Sequence, residues 1–498
     1  MRAVSGSHFD PAAYRRARFA PLPDAVDSTT LRRAAALGLA LISLLCMFSA
    51  ALRLTGEPSE SATQDVHALQ ADALDPRRLP EALATADQDQ AIRASINALM
   101  ASNKGLGSSA VSISVNRDGY DLMNRNADSA MIPASSLKLV TAAAALELLG
   151  PQTRFETTAK SKTPDDSGTI NGDLFIIGGG DPLLTTSQFA ATLQPGTPTS
   201  SFDALADAIA QRRITRINGS IIGDDTRFDN QVSIPTWSPA YATSGQVGAI
   251  SALNVNQGYV RFIGGRFPSP DPTKNSADLL KAALASRGIQ VGGQSRAAKA
   301  PDGLEELGKV QSVTVQEAVS EMLTHSDNTT AEVLLKNIGF MTSQQGTTAA
   351  GAAAVTEFVK KISPHGNSFV AVDGSGLDRN DRASCDLLDD VLSHEKTRDA
   401  ILQGLPRAGE SGTLQDRMAG SAAIGKVQAK TGTLAEVSAL TGWVKPENRQ
   451  ALRFCVMTNG ALLEPSRRLE DAVAVALAQG LSGKSSEQFG TGIQRANR

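Results

Sequence analysis

Histidine, cysteine and aromatic residues are scarce in this chain, and each scarcity removes a class of function. The 498 residues include five histidines and three cysteines. His8, His67, His325, His365 and His394 are scattered, and Cys46, Cys385 and Cys455 form no Cys-x-x-Cys or Cys/His spacing, which argues against a zinc centre. Aromatics make up 4% and the formal net charge is −3, so neither the stacking platforms nor the basic surface of a nucleic-acid binder is in view. Gly178-Gly179-Gly180 is followed by Asp181-Pro182 rather than by Lys-Ser/Thr, so it reads as a turn and not as a phosphate loop. No Gly-x-Ser-x-Gly nucleophile elbow occurs, and His325, although beside Ser326, reads as a packing residue.

What the chain does have is length and small residues. Its size exceeds one ordinary core and predicts two or three domains. Residues 1–33 carry Arg2, Arg15, Arg16, Arg18, Arg32 and Arg33, and Ala34 to Leu52 is an uncharged run closed by Arg53. That pattern predicts a cytoplasmic segment over 1–33 and a transmembrane signal anchor over 34–52. A cleaved signal peptide is the alternative, because Ser49-Ala50-Ala51 has the form of a cleavage site. Residues 54–88 read as a linker and 483–498 as a disordered tail. Everything between is then expected on the extracytoplasmic face of the membrane, or in the periplasm or medium if the leader is cleaved. There Cys385 and Cys455 either pair or remain two buried thiols.

The stretch that carries chemistry is Pro133-Ala134-Ser135-Ser136-Leu137-Lys138, which opens an alanine-rich apolar run to Gly150. On a helix, Ser135 and Lys138 share a face, so the amine can take the hydroxyl proton once its pKa is lowered. Before it, Ser109–Val115 alternates like a strand, Asn116–Gly119 is a turn, and Tyr120–Asn124 returns. From about 155 to 300 the texture is rich in strands and turns. Helical patterns follow at Ala277–Arg287 and Thr314–Leu323, strands at Ser438–Val444 and Leu452–Asn459, and a last helix near Pro465–Leu481.

Two further motifs follow the first in order: Ser326-Asp327-Asn328 and Lys430-Thr431-Gly432. The trio is the signature of serine β-lactamases and penicillin-binding proteins. Together with Gly180-Asp181-Pro182, Asp373-Gly374-Ser375-Gly376-Leu377, Ser411-Gly412-Thr413-Leu414 and Thr433-Leu434, the chain resembles the class C low-molecular-mass penicillin-binding proteins of the D-alanyl-D-alanine carboxypeptidase/endopeptidase type, over roughly 90–482. The separation of 191 residues from Ser135 to Ser326 matches the place where that family carries extra domains. The resemblance implies an α/β (α+β) transpeptidase fold of the penicillin-binding/β-lactamase type with a large β-rich insert. The catalytic domain would span 89–150 plus 305–482, and the insert 151–304.

The resemblance also implies roles. Ser135 would attack the peptide bond between two D-alanines of a peptidoglycan stem peptide, and Lys138 would be the base. Ser326 would pass a proton to the leaving amine, and Asn328 would bind either the substrate amide or Lys138. Lys430 would orient the substrate carboxylate or lower the Lys138 pKa by its charge. Thr431, Gly432 and Thr433, with Asp373, Gly374, Ser375 and Gly376, would line the substrate site, and β-lactams would be covalent inhibitors. No metal or organic cofactor is called for. A β-lactamase and a non-catalytic wall-binding protein are the rival readings; the first lacks its deacylating Glu in the window Ile362–Asn367. Some relatives read the stem amine with an acid after a Trp. Here Trp237-Ser238-Pro239-Ala240-Tyr241 has none, which leaves Asp378 as a candidate substitute.

Overall fold

In this computed structural model, residues 79–445 and 450–479 are described; the expected anchor at 34–52, most of the linker and the tail lie outside them. The described residues from Ala84 onward cluster as one compact unit. Among the described residues no helix is long and apolar enough to cross a membrane.

The main elements, in chain order, begin with helix α1 (Leu79–Ser102), the hairpin β1 (Ala110–Arg117) and β2 (Tyr120–Arg125), and helix α2 (Leu137–Leu148). Next come β3 (Glu156–Ser161), β4 (Leu174–Ile177), α3 (Asp203–Gln211), β5 (Ile221–Asp224), α4 (Pro272–Ala285), β6 (Arg296–Ala297) and β7 (Glu305–Gln311). The chain then runs through α5 (Val315–His325), α6 (Asn328–Ser343), α7 (Thr348–Ile362), α8 (Cys385–Ser393) and α9 (Glu395–Gly404). It closes with β8 (Val427–Leu434), β9 (Val437–Val444), β10 (Leu452–Asn459) and α10 (Leu463–Gln479).

The first sheet has the order β8-β9-β10-β1-β2, antiparallel throughout. Its N-terminal hairpin therefore lies beside strands made more than three hundred residues later. One face of the sheet is covered by α1 and α10 over Ile113, Val115, Leu440 and Val456, all buried. The other core is built on α2, in which ten of twelve residues are buried, and α5, α6, α7, α8 and α9 all pack against it. The run Ala142–Ala145 has no exposed surface; only small side chains let so many helices approach one axis at native density. A disulfide joins Cys385, the first residue of α8, to Cys455 in β10, so of the two alternatives the pair is the one found.

The segment between α2 and α5 has its own sheet, β6-β5-β4-β3-β7, mixed in direction. The parallel pairs β4/β5 and β5/β6 are bridged by α3 and α4 respectively, as parallel strands require a crossover. A separate apolar cluster that includes Ile176, Phe202, Leu205, Ile221 and Leu280 fills this region. The segment is anchored along α6. Asn337 Nδ2 donates to Gly180 O at 2.8 Å, Arg227 Nε donates to Asn337 Oδ1 at 3.1 Å, and buried Lys336 Nζ donates to Asp229 Oδ1 at 2.5 Å. The Gly178–Gly180 turn thus serves packing: a Cβ on Gly180 would lie 2.4 Å from Asn337 Oδ1.

Candidate active site

Ser135 lies in a short 3-10 turn, Ala134–Ser136, that leads directly into α2. Ala134 is left-handed at φ 47°, a conformation that is rarely held without support. Two glycines supply that support from two distant motifs. A Cβ on Gly376 (φ +80°) would sit 1.9 Å from Ala134 O, and one on Gly432 would sit 2.6 Å from Pro133 O. The loop 373–378 and strand β8 therefore press against the turn of Ser135 in a way that only glycine permits.

Lys138 is fully buried, one turn on. Its Nζ lies 3.0 Å from Ser135 Oγ, 2.6 Å from Asn328 Oδ1 and 2.6 Å from the Ser375 carbonyl. The Asn328 amide is oriented by its other end, since Nδ2 donates to Gln246 O at 2.8 Å. Asn328 Oδ1 and Ser375 O can only accept, so they take two N–H bonds of the amine. When Lys138 is neutral, its remaining position, the lone pair, is the one that faces Ser135 Oγ. Burial brings the Lys138 pKa down to about 8, against the opposing pull of Asp373, Glu332, Asp327 and Asp381. The lowering thus comes from desolvation and not from Lys430 acting as a fixed cation. Lys430 is itself driven well below the usual lysine value, by burial and then by Lys138.

Lys430 is fully buried on β8, and its Nζ donates to Ser326 Oγ at 2.8 Å and to Thr431 O at 2.9 Å. Ser326 is the left-handed cap (φ 59°) that ends α5, and Asp327 begins α6 by accepting from Thr330 N. The half-buried Ser135 and Asn328 thus share hydrogen bonds with the buried Lys138, the half-buried Ser326 shares one with the buried Lys430, and the two amines are near enough for the charge of Lys138 to act on Lys430. Thr431 Oγ1 donates to Thr413 Oγ1 at 2.9 Å, and Thr433 is exposed at the end of β8, 3.4 Å from Arg467 Nη2.

Asp373, Gly374, Ser375 and Gly376 line the underside of this group rather than its open face. The buried Asp373 carboxylate accepts from Trp237 Nε1 (2.8 Å), Gly376 N (2.6 Å) and Asp378 N (2.7 Å). With its oxygens spent inward, it braces the loop and links it to the insert. Asp378 is corrected in the same way. It is buried and bonded by the Thr236 hydroxyl, Asn380 N and Asn380 Nδ2, so it turns no free oxygen toward a stem amine.

Glu332 was missed from sequence. Fully buried on α6, it accepts from Gly374 N (3.0 Å) and Ser375 N (2.8 Å), and so holds the residue whose carbonyl accepts from Lys138. Burial, and then Asp373, push its pKa up to about 8; the same two causes push Asp381 up to about 10. The available signal was its place four residues after Asn328, on the same helix face.

A family model described as the D-Ala-D-Ala carboxypeptidase 3 (S13) family matches residues 92–263 and 265–480. The chain belongs to this family. It is similar to the D-alanyl-D-alanine carboxypeptidase of Actinomadura sp. (strain R39), 29% identical over 441 residues, covering 72% of this chain and 79% of that one. Carboxypeptidase DacB of Mycolicibacterium smegmatis is 27% identical over 447 residues, covering 86% of this chain and 93% of its own. Among solved structures, penicillin binding protein 4 (dacB) from Haemophilus influenzae superposes with a TM-score of 0.66 at 20% identity, over 77% of this chain and 99% of that one. The α+β fold of the penicillin-binding proteins is therefore the fold of this chain.

Proposed function

We propose that this protein is a serine D-Ala-D-Ala carboxypeptidase that cleaves peptidoglycan stem peptides through an acyl-enzyme on Ser135. The observation that carries the reading is the buried Lys138 amine, 3.0 Å from Ser135 Oγ with its two other contacts to obligate acceptors. In acylation Ser135 Oγ bonds to the carbonyl carbon of the penultimate D-alanine, and its proton passes to Lys138. The C–N bond breaks, and the leaving D-alanine amine takes a proton by way of Ser326. Water then hydrolyses the ester. The amides of Ser135 and Thr433 are the oxyanion donors in this scheme; one such donor is commonly worth about 100–1000-fold in rate. Lys430, Thr431 and Thr433 receive the terminal carboxylate, whose charge would raise the Lys430 pKa on arrival. Asn328 acts on Lys138 and not on the substrate amide, because both ends of its side chain are engaged.

A strained β-lactam amide presented to the same group would leave a slowly hydrolysed ester, so penicillins are covalent inhibitors in this reading. We place the chain outside the cytoplasm: the Cys385–Cys455 disulfide suits an oxidising compartment, and the expected anchor at 34–52 suits the outer face of the membrane. Residues 151–304 act as an inserted domain between the two parts of the catalytic domain. The test is incubation with a fluorescent penicillin, followed by peptide mass spectrometry and by muropeptide digestion. The expected result is an adduct on the peptide that contains Ser135, lost in Ser135→Ala, and release of D-alanine from pentapeptide stems; cleavage of cross-bridges in the same assay measures endopeptidase activity. An unlabelled Ser135 overturns the reading.

A further inference from the structure

The residues that aim Lys138 are themselves held from the insert. Three successive residues after Ser326 are each bonded to the segment 246–257. Asp327 Oδ2 accepts from Gln257 Nε2 at 2.6 Å, Asn328 Nδ2 donates to Gln246 O at 2.8 Å, and Thr329 Oγ1 accepts from Gly248 N at 2.8 Å. The other Asp327 oxygen caps α6 by accepting from Thr330 N at 2.6 Å, so the two oxygens divide between helix and insert.

The holding segment is built to keep one shape. Asn256 (φ 56°) and Gln257 (φ 53°) are consecutive left-handed residues, neither is glycine, and both are buried. Asn256 Oδ1 accepts from Thr186 N at 2.8 Å and Thr186 Oγ1 at 3.2 Å. A Cβ on Gly248 would lie 1.8 Å from Gln257 O, and one on Gly258 would lie 2.0 Å from Ala249 O. Strained backbone of this kind persists where surrounding structure over-determines it, and it clusters at functional sites. The other ties of the insert to this helix, those of Lys336 and Asn337, lie further along α6. The contacts at 327–329 fall instead on the loop that presents Ser326 and Asn328.

We propose that Gln257 is a positioning residue for the reaction: through Asp327 it fixes the Ser326–Asn328 loop, and so the direction in which Asn328 holds the Lys138 amine toward Ser135. The insert is then part of the acylation machinery and not only a neighbour of it. This rests on the acyl-enzyme reading above.

The experiment uses the full-length protein and three variants: Gln257→Leu, Gln257→Glu, and Gln257→Glu combined with Asp327→Asn. It measures the second-order rate of labelling by a fluorescent penicillin, kcat and KM on a diacylated Lys-D-Ala-D-Ala peptide, and thermal unfolding. In the single Glu variant a new carboxylate faces Asp327; in the double variant an amide donor faces it again, and Asn caps a helix as well as Asp. Both single variants are expected to lose about 10-fold or more in labelling rate and in kcat, since misplacement by about 1 Å can cost ~100-fold, while KM changes little. The double variant is expected to recover most of the rate. Labelling of the single Glu variant within about twofold of wild type overturns the proposal. So does a loss of rate that tracks melting temperature and is not restored in the double variant. A labelled wild type with indifferent Gln257 variants overturns this proposal alone; an unlabelled wild type overturns the acyl-enzyme reading and this proposal with it.

Discussion

A lysine with no exposed surface acts as a base only if water has been removed from it more thoroughly than opposing charge has been brought near. Lys138 meets this condition: desolvation outweighs four carboxylates and leaves its pKa near 8. The sign follows directly. Below that value the amine is protonated and cannot accept from Ser135; above it the lone pair is free. The rate of Ser135 acylation is therefore expected to rise with pH to a plateau, with a midpoint near 8 in a stopped-flow titration with a chromogenic β-lactam. A midpoint near 10, the value for a solvated lysine, would remove Lys138 as the base. At this scale the reactive atoms were legible before the structure because Ser-x-x-Lys, Ser-Asp-Asn and Lys-Thr-Gly have fixed local spacings. Glu332 and Gln257 were not, because they work through backbone amides or through a partner 70 positions away, and such pairings leave no spacing to read. Asp378 was misread because exposure, not residue type, decides whether an acid can meet a ligand.

Among the elements, the hairpin at 110–125 and the last two strands and helix were readable from alternation and apolar period, and the structure has them where expected. Helix α3 escaped notice because it is only nine residues long and sits among turns. The junction of α8 with β10 makes a measurable claim. The Cys385–Cys455 bond closes a separation of 70 residues and ties the helix that packs on α2 to a strand in the middle of the sheet. Breaking it is expected to cost roughly 2–4 kcal/mol, read as a lower urea midpoint for Cys385→Ser/Cys455→Ser than for the oxidised protein. An unchanged midpoint would mean that packing alone sets this junction.

For the molecule as a whole, several buried acids titrate far above their ordinary range. Burial raises Asp181 to about 6, Glu470 to about 7, Glu332 to about 8 and Asp381 to about 10. Each binds its proton more tightly folded than unfolded, so each contributes stability that is full below about pH 4 and is lost as pH rises through the folded value. His325, Lys138 and Lys430, whose pKa values burial lowers, act in the opposite sense, but the raised acids, with buried Glu321 among them, outnumber them. The urea midpoint is expected to fall between pH 5 and pH 8, by at most ~1.4 kcal/mol per pKa unit for each group; a midpoint that rose over this interval would show that these acids are ionised in the folded protein. The activity and the stability of this protein would then have different pH optima.

The sheet order also governs how the molecule can be made. Strand β1 finds one of its two neighbours only in β10, so the N-terminal hairpin waits, with an open edge, for nearly the whole chain to follow. A polypeptide threaded through a membrane from its N-terminus would be unable to close this sheet until residues 452–459 had emerged. It would stay unlocked for the length of its passage, and a chain released short of that strand would be left with an unpaired edge, a site of aggregation and of proteolytic clearance.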